Sequence, residues 1–298
     1  MLIAQLTDLH LGFEIDSPDE LNRHRLDQAI AWLGKLTVKP DMLFLTGDLV
    51  DRGDVASYER LREAIEPCDF PVYLCVGNHD DRAAMAHVFP HIPRPDGFVQ
   101  YVIDSDAVRF IVIDTLGEDG HHGGVFCETR AAWLRARLAE TGTKPVMIVL
   151  HHPPVETGIP WMSPEPDARW IQTLDAAIGD HPNVTMICGH IHRSISTRWK
   201  GRQLAISPST APQVALDMAP IDPDLPDDRA MIVAEAPGAA LHLWTGDAFA
   251  THHNAVGEPL VLARYDGRFQ PVVRHMFDER FEDMGEGQHA PFRMAAAE

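Results

Sequence analysis

Basic residues are scarce. In 298 residues, Lys and Arg total 25 against 44 Asp and Glu, for a formal charge of −19. That deficit argues against affinity built by neutralising many backbone phosphates, so long nucleic acid is not an expected partner. A small anion is still allowed, because bound cations reverse the field locally. Long apolar runs are also missing. None approaches the eighteen or so residues of a membrane helix, and the longest, such as Val146 to Leu150, have strand length. The opening MLIAQLTDLHLG carries neither a basic stretch nor a long apolar one, so it does not read as a secretory signal. Cysteines stand at 68, 75, 127 and 188, too few and too scattered for a disulfide framework. Buried free thiols are the default reading, with one bridged pair as the alternative. These absences point to a cytoplasmic protein without a membrane partner.

What is plentiful is histidine, 17 residues in all, more than a solvated face needs; metal binding is therefore worth testing. A hydrophobic content of 45% is that of a globular chain. Through residue 206, short apolar runs alternate with amphipathic stretches. LIAQL (2–6), MLFLT (42–46), PVYLCV (71–76), VRFIVID (108–114), PVMIVL (145–150) and VTMIC (184–188) read as strands covered on both faces. Helices are predicted over 21–36, from an Asp54 cap to about Ile65, and over 129–138. The layering is α/β. FVQYVID and AVRFIVID, joined at Ser105-Asp106, form a hairpin, so the sheets are mixed. Residues 1–206 are read as a core and 207–275 as an extension of the same domain, a lid or an oligomer contact. Its first part, 207–228, holds five prolines and five aspartates and reads as a loop. A second hairpin brackets Thr245-Gly246-Asp247. Residues 276–298 read as a flexible tail.

Ligand-type residues stand just after five of these strands: Asp8-Leu9-His10, Gly47-Asp48, Gly77-Asn78-His79-Asp80, His151-His152 and Gly189-His190-Ile191-His192. Sites collect at the carboxyl ends of strands in layered α/β folds, so the five motifs can converge. Asp-x-His means little alone, since about 1.6 matches are expected by chance. A second match does occur at Asp119-Gly120-His121. Gly-His-x-His is expected roughly 0.07 times and Gly-Asn-His-Asp roughly 0.0015 times. Crowding Asp, Asn and several His together is costly unless a metal satisfies them. Carboxylate, imidazole and amide ligands without thiolate suit Mn, Fe, Zn or Co. The set is too large for one ion, and two ions sharing a carboxylate make a clamp for phosphoryl displacement.

At these residues the chain resembles the calcineurin-like metallophosphoesterase superfamily, and more narrowly its class III cyclic-nucleotide phosphodiesterases and bacterial glycerophosphodiesterases. HHPPVETGIPWM, the stretch from IDT at 113–115 to WLRARL, and SPSTAPQ at 207–213 add to the likeness, which covers roughly residues 1–255. The resemblance implies a four-layer αββα sandwich of two mixed β-sheets flanked by helices. It implies one metal on Asp8, His10, Asp48 and His192, and a second on Asp48, Asn78, His151 and His190. It implies hydrolysis of a small phosphodiester by in-line attack of a metal-bridging hydroxide: a 3′,5′- or 2′,3′-cyclic nucleotide or a glycerophosphodiester. His79 would face the phosphate and protonate or stabilise the leaving group. Homo-oligomers, dimers or larger, are common in the superfamily. A phosphomonoesterase on the same site is the alternative, as is a non-catalytic module on the same fold, which the intact ligand set disfavours.

Other residues are read one by one. Asp80 orients His79 or caps the next helix. His152, adjacent to a ligand in extended chain, points the other way and is structural. Arg52 meets a phosphate or serves a surface ion pair. Trp161 and Met162 wall the substrate pocket or anchor the core. His121 and His122 lie in a Gly-rich loop read as solvated. One departure stands out: some glycerophosphodiesterase-type members carry His where this chain has Pro212, so a second substrate-facing imidazole is absent there.

Overall fold

Strands rich in Val, Ile and Leu on both faces need cover on both sides, and the arrangement here supplies it. A computed structural model describes residues 1–282 other than 16, 18, 119 and 120. The second Asp-x-His match therefore starts outside the described residues. So do residues 283–298 of the expected tail. In chain order the elements are β1 (Leu2–Leu6), α1 (Leu21–Lys35), β2 (Met42–Thr46), α2 (Val55–Ile65), β3 (Val72–Cys75), α3 (Arg82–Val88), β4 (Tyr101–Asp104), β5 (Arg109–Val112), α4 (Glu128–Ala139), β6 (Val146–Val149), α5 (Arg169–Ile178) and β7 (Val184–Cys188). After them come β8 (Ile195–Trp199), β9 (Arg202–Ile206), β10 (Gln213–Val214), β11 (Ile232–Val233), β12 (Gly238–Trp244), β13 (Phe249–Ala255) and α6 (Gln270–Glu282).

One sheet runs β13-β12-β1-β2-β3 and the other β4-β5-β6-β7-β9-β8. Parallel pairing, with Leu6 opposite Leu45 and Thr46 opposite Cys75, brings three carboxyl ends level in the first sheet. In the second, Val149 opposite Ile187 does the same. Each sheet also has antiparallel pairs, including the two hairpins expected from sequence. Side chains alternate between two packing layers, as the strand period of two requires. Phe110, Val112, Met147, Val149 and Ile187 face the first sheet, where the Phe44 and Phe110 rings lie 5.5 Å apart. Ile111, Ile113, Val146 and Ile148 face away, against Leu134 of α4 and Leu174 of α5. Leu26 of α1, Leu61 of α2 and Met85 of α3 complete the core of the first sheet. The result is a four-layer αββα sandwich.

Beyond the elements read from the sequence stand α5, β10, β11 and α6, and β8, β9 and α3, whose sequence signal is weakest. β8 and β9 form an edge hairpin in which ISTRW exposes three residues, so no unbroken apolar run marks it. Lys200 (φ 50°) and Gly201 (φ 83°) turn it with two left-handed residues, a turn matched to strand twist. α3 spans only seven residues, too few to show a helical period. By its contacts the chain divides into one unit over Met1–Gly257 and a second from Glu258. Within the second, α6 runs across residue 276.

Candidate metal centre

Each candidate ligand sits in the first residues past a strand, on backbone bent away from the extended form. Nine non-glycine residues have positive φ among those described, and five of them are Asp8 (52°), His10 (46°), Asp48 (47°), His190 (72°) and His192 (55°). Left-handed backbone costs a non-glycine residue roughly 1–3 kcal/mol, so it persists where the surroundings demand it. Here it redirects five side chains toward one point between the sheets. Glycines permit the approach. A Cβ on Gly77 would meet Asp48 and His151, and one on Gly189 would meet Thr7 and Asp8.

The side chains converge. His192 Nε2 lies 3.2 Å from Asp8 Oδ1, and His151 Nε2 lies 3.3 Å from Asp48 Oδ2. His10 Nε2 is 3.7 Å from Asp48 Oδ2 and 3.3 Å from His192 Nε2. Asn78 Oδ1 is 3.2 Å from His151 Nε2. His190 donates its backbone N–H to both Asp8 oxygens, at 3.1 and 3.0 Å, and its ring packs 5.2 Å from that of His151. Ligand atoms of Asp8, His10 and His192 lie within 4.8 Å of one another, as do those of Asp8, Asp48 and His151. The imidazoles are aimed from behind. His151 Nδ1 donates to the Thr46 carbonyl and His192 Nδ1 to the Pro212 carbonyl, both at 2.9 Å. That turns each Nε2 into the cluster, where burial lowers the His151 pKa but Asp48 and then Asp8 outweigh it and push it up to about 9; a cation held there would take the place of the Nε2 proton and meet its lone pair.

The charges fit a cation site. Burial alone would raise the Asp8 carboxyl, but the neighbouring His192 and His151 outweigh it and hold Asp8 down at about 2. Asp48 is balanced the same way by His151 and His10 and lies well below the ordinary range. Burial, then the His151 charge, drives the His190 imidazole down to about 3, so it is neutral at pH 7. Two buried carboxylates and a neutral buried imidazole form a donor set of N and O atoms that suits divalent cations.

His79 lies against this set. Its backbone N–H donates to Asp48 Oδ1 at 2.8 Å, and its Nδ1 lies 2.9 Å from the Asp51 carbonyl oxygen. Its neighbour Asp80 neither caps α3 nor touches the His79 ring. Asp80 accepts from Gly77 N–H (2.7 Å), Leu49 N–H (3.2 Å) and the Tyr58 hydroxyl (2.8 Å), stitching the Gly47-Asp48 loop to the Gly77-Asn78 loop. The α3 cap is Asp81, which accepts from Ala84 N–H. His152 is buried and bonded at both ring nitrogens, to Thr115 Oγ1 at 2.8 Å and the His122 carbonyl at 3.2 Å, but it does not point away from the site: its ring lies 4.7 Å from that of His190 and lines the cavity over the cluster. That second bond changes the reading of His122. It ties the Gly-rich loop over the site and brings His122 Nδ1 to 3.5 Å from Asn78 Nδ2.

A cavity of about 610 Å³ opens over the cluster, walled by His79, His122, Pro153, Trp161, Met162 and Trp170. Trp161 and Met162 thus face the same space as the ligand set. Arg52 does not. Its guanidinium is mostly exposed and donates to the Phe13 carbonyl at 3.3 Å, outside this cavity. Sequence reasoning also passed over Asp51, whose Oδ1 lies 3.3 Å from His10 Nδ1. Its place in Gly-Asp-x-x-Asp, one turn past a ligand, was the available signal.

An αββα sandwich carrying paired carboxylates, imidazoles and an Asn-His pair at its strand ends defines a metal-dependent phosphoesterase scaffold. The comparisons agree. Residues 1–194 match the calcineurin-like phosphoesterase family, and the chain belongs to that family. It is 34% identical to a probable cyclic nucleotide phosphodiesterase of Rhodopseudomonas palustris, over 85% of this chain and 96% of that protein. It is 29% identical to a probable glycerophosphodiester phosphodiesterase of Arcobacter nitrofigilis, over 87% of this chain and 94% of that one. Among solved structures, a dimetal phosphatase from Danio rerio shares the fold, with TM-score 0.56, 13% identity and coverage of 86% of this chain and 99% of that one.

Proposed function

We propose that this protein is a dinuclear-metal phosphodiesterase acting on a small phosphodiester, a cyclic nucleotide or a glycerophosphodiester. The observation that carries the reading is the buried Asp8–Asp48 pair ringed by imidazoles whose Nε2 atoms point at the carboxylates. Asp8, His10, Asp48 and His192 would hold one divalent ion and Asp48, Asn78, His151 and His190 the other, with Asp48 common to both; Mn, Fe, Zn and Co all suit the donors. Bound there, two cations would supply charge neutralisation for the phosphoryl oxygens and acidify water at neutral pH.

The chain's own residues do the rest. His79, anchored through Nδ1, turns Nε2 toward the cavity and can hand a proton to the departing alkoxide. Trp161 and Met162 orient the ester and shield it from water. His122 closes one side. The names of the relatives from Rhodopseudomonas and Arcobacter support a diester as substrate. Four free thiols support placement in the reducing cytoplasm.

The test uses protein stripped of metal and reloaded with Mn²⁺, with bound metal counted. Hydrolysis of both 3′,5′-cyclic AMP and bis(p-nitrophenyl) phosphate is the expected result. Cleavage of the aryl diester alone would remove the cyclic-nucleotide branch. No cleavage with any of the four metals would overturn the reading.

A further inference from the structure

We propose that the site has a second subsite, a non-polar cleft that holds the ester arm retained in the product. The preferred substrates are then acyclic diesters with a non-polar, aryl or alkyl, retained arm. The inference rests on the phosphodiesterase reading. A cleft of about 390 Å³ lies beside the large cavity and shares His10, His192 and Ile232 with it, so both open onto one edge of the ligand set. Three separate segments place large apolar side chains on its wall: Phe13 (59% exposed) after β1, Leu21 (49%) at the start of α1, and Ile232 (54%) on β11. Ala211 and Pro212 form the rest of its apolar lining. Exposed apolar groups from unlinked segments do not crowd one cleft without something to cover them.

Glu14, an exposed carboxylate, also lines this cleft; its other acidic and amide side chains are already engaged. Asn22 donates to the His10 carbonyl at 2.9 Å. Glu20 accepts from Gly12 N–H at 2.6 Å and pairs with Arg60 at 2.7 Å. Asp51 faces His10. The occupant therefore meets hydrocarbon and finds few free hydrogen-bond partners. The two clefts also differ in chemistry. His79 lines the large cavity and not the small one. In-line displacement puts the leaving oxygen beside the proton donor, so the leaving arm occupies the large cavity and the retained arm the cleft of Phe13, Leu21 and Pro212. A cyclic nucleotide, whose two ester oxygens belong to one nucleoside, cannot send separate arms into both.

The test varies only the retained arm. Mn²⁺-loaded enzyme is given phenyl p-nitrophenyl phosphate and methyl p-nitrophenyl phosphate, which share a leaving group. The expected kcat/KM ratio, phenyl over methyl, is about tenfold, the scale of one buried apolar group. Phe13→Ala and, separately, Leu21→Ser should each cut that ratio at least about threefold. Binding is read in parallel by calorimetry with the products phenyl phosphate and methyl phosphate. Phenyl phosphate should bind about tenfold tighter, and both variants should narrow the gap. A ratio near one in both assays, or one that neither substitution moves, overturns the second cleft and leaves the phosphodiesterase reading intact. Failure to hydrolyse either ester overturns that reading, while the product-binding ratio still decides the cleft.

Discussion

The Asp51 carboxylate stands 3.3 Å behind the Nδ1 of His10, on the side away from Asp48. Asp51 is held below its ordinary range, chiefly by the bond from His10. A carboxylate behind a ligating imidazole fixes its tautomer and strengthens it as a donor, and its loss typically costs 10–100-fold in metal affinity. Asp51→Asn is expected to weaken one of two Mn²⁺ equivalents by about that factor in a chelator competition, with the second equivalent unchanged. Equal loss of both, or of neither, would place Asp51 outside the support of His10.

Asp48 is the side chain that both halves of the cluster share: His10 and His151 approach the same Oδ2, while Oδ1 accepts the His79 N–H. Asp48→Asn keeps an acceptor for that N–H and removes the charge. Bound metal should fall from two equivalents to one or none, and kcat/KM for bis(p-nitrophenyl) phosphate by at least about 10³-fold. Dialysis of the unaltered enzyme against a chelator should abolish activity, and Mn²⁺ should restore it. A chelated enzyme with full activity would show the cluster to be structural.

The strands that carry the ligands were legible because each is an unbroken apolar run ending in a polar cluster. Leu2–Leu6 and Val184–Cys188 have the bounds the residues alone suggest. The mixed sheets were legible through hairpin spacing, and the four layers came with the family resemblance. What could not be read is what acts through distance. Nothing local in Asp80 says that it joins two loops through Tyr58, and nothing in His122 says that His152 pins its backbone. The non-polar cleft gathers Phe13, Leu21 and Ile232 from parts of the chain that only the packed fold brings together.

Asp114 is a further case. It is buried just past the end of β5 and accepts from Nε and Nη2 of Arg82 at 2.8 Å, from Arg130 at 3.3 Å and from the N–H groups of Val99 and Leu116 at 2.9 Å. Sequence marks it only as the Asp of IDT. Removing it strands the buried Arg130 and the largely buried Arg82, and breaking such a group from one side costs about 3–5 kcal/mol. Asp114→Ala should lower the urea midpoint accordingly, and Asp114→Asn should recover part of the loss by keeping the acceptor oxygen. A shift below about 1 kcal/mol in the alanine variant would mean that the two guanidinium groups find other partners.

His242 of β12 makes the stability of the fold depend on pH. It is fully buried between Thr251 Oγ1 at 2.8 Å and Gln5 Oε1 at 3.0 Å. The Gln5 amide nitrogen donates to Thr46 Oγ1 and the Cys188 carbonyl, so its oxygen can only accept. Nε2 of His242 must therefore carry the proton and Nδ1 must accept from the Thr251 hydroxyl, a set of bonds that the neutral ring completes. Burial, then the charges of His253 and His252, push its pKa down to about 3 from 6.5. Between those values the unfolded chain binds a proton that the folded one refuses. Stability from this group is whole above about pH 6.5 and is lost progressively as pH falls toward 3. At 1.36 kcal/mol per unit, the loss between pH 7 and pH 5 is about 2 kcal/mol. Urea unfolding at the two pH values should show that drop as a difference between the unaltered protein and His242→Gln, which does not titrate. Equal pH dependence in the two proteins would show that His242 is protonated in the fold and that the Gln5–His242 bond is not the one described.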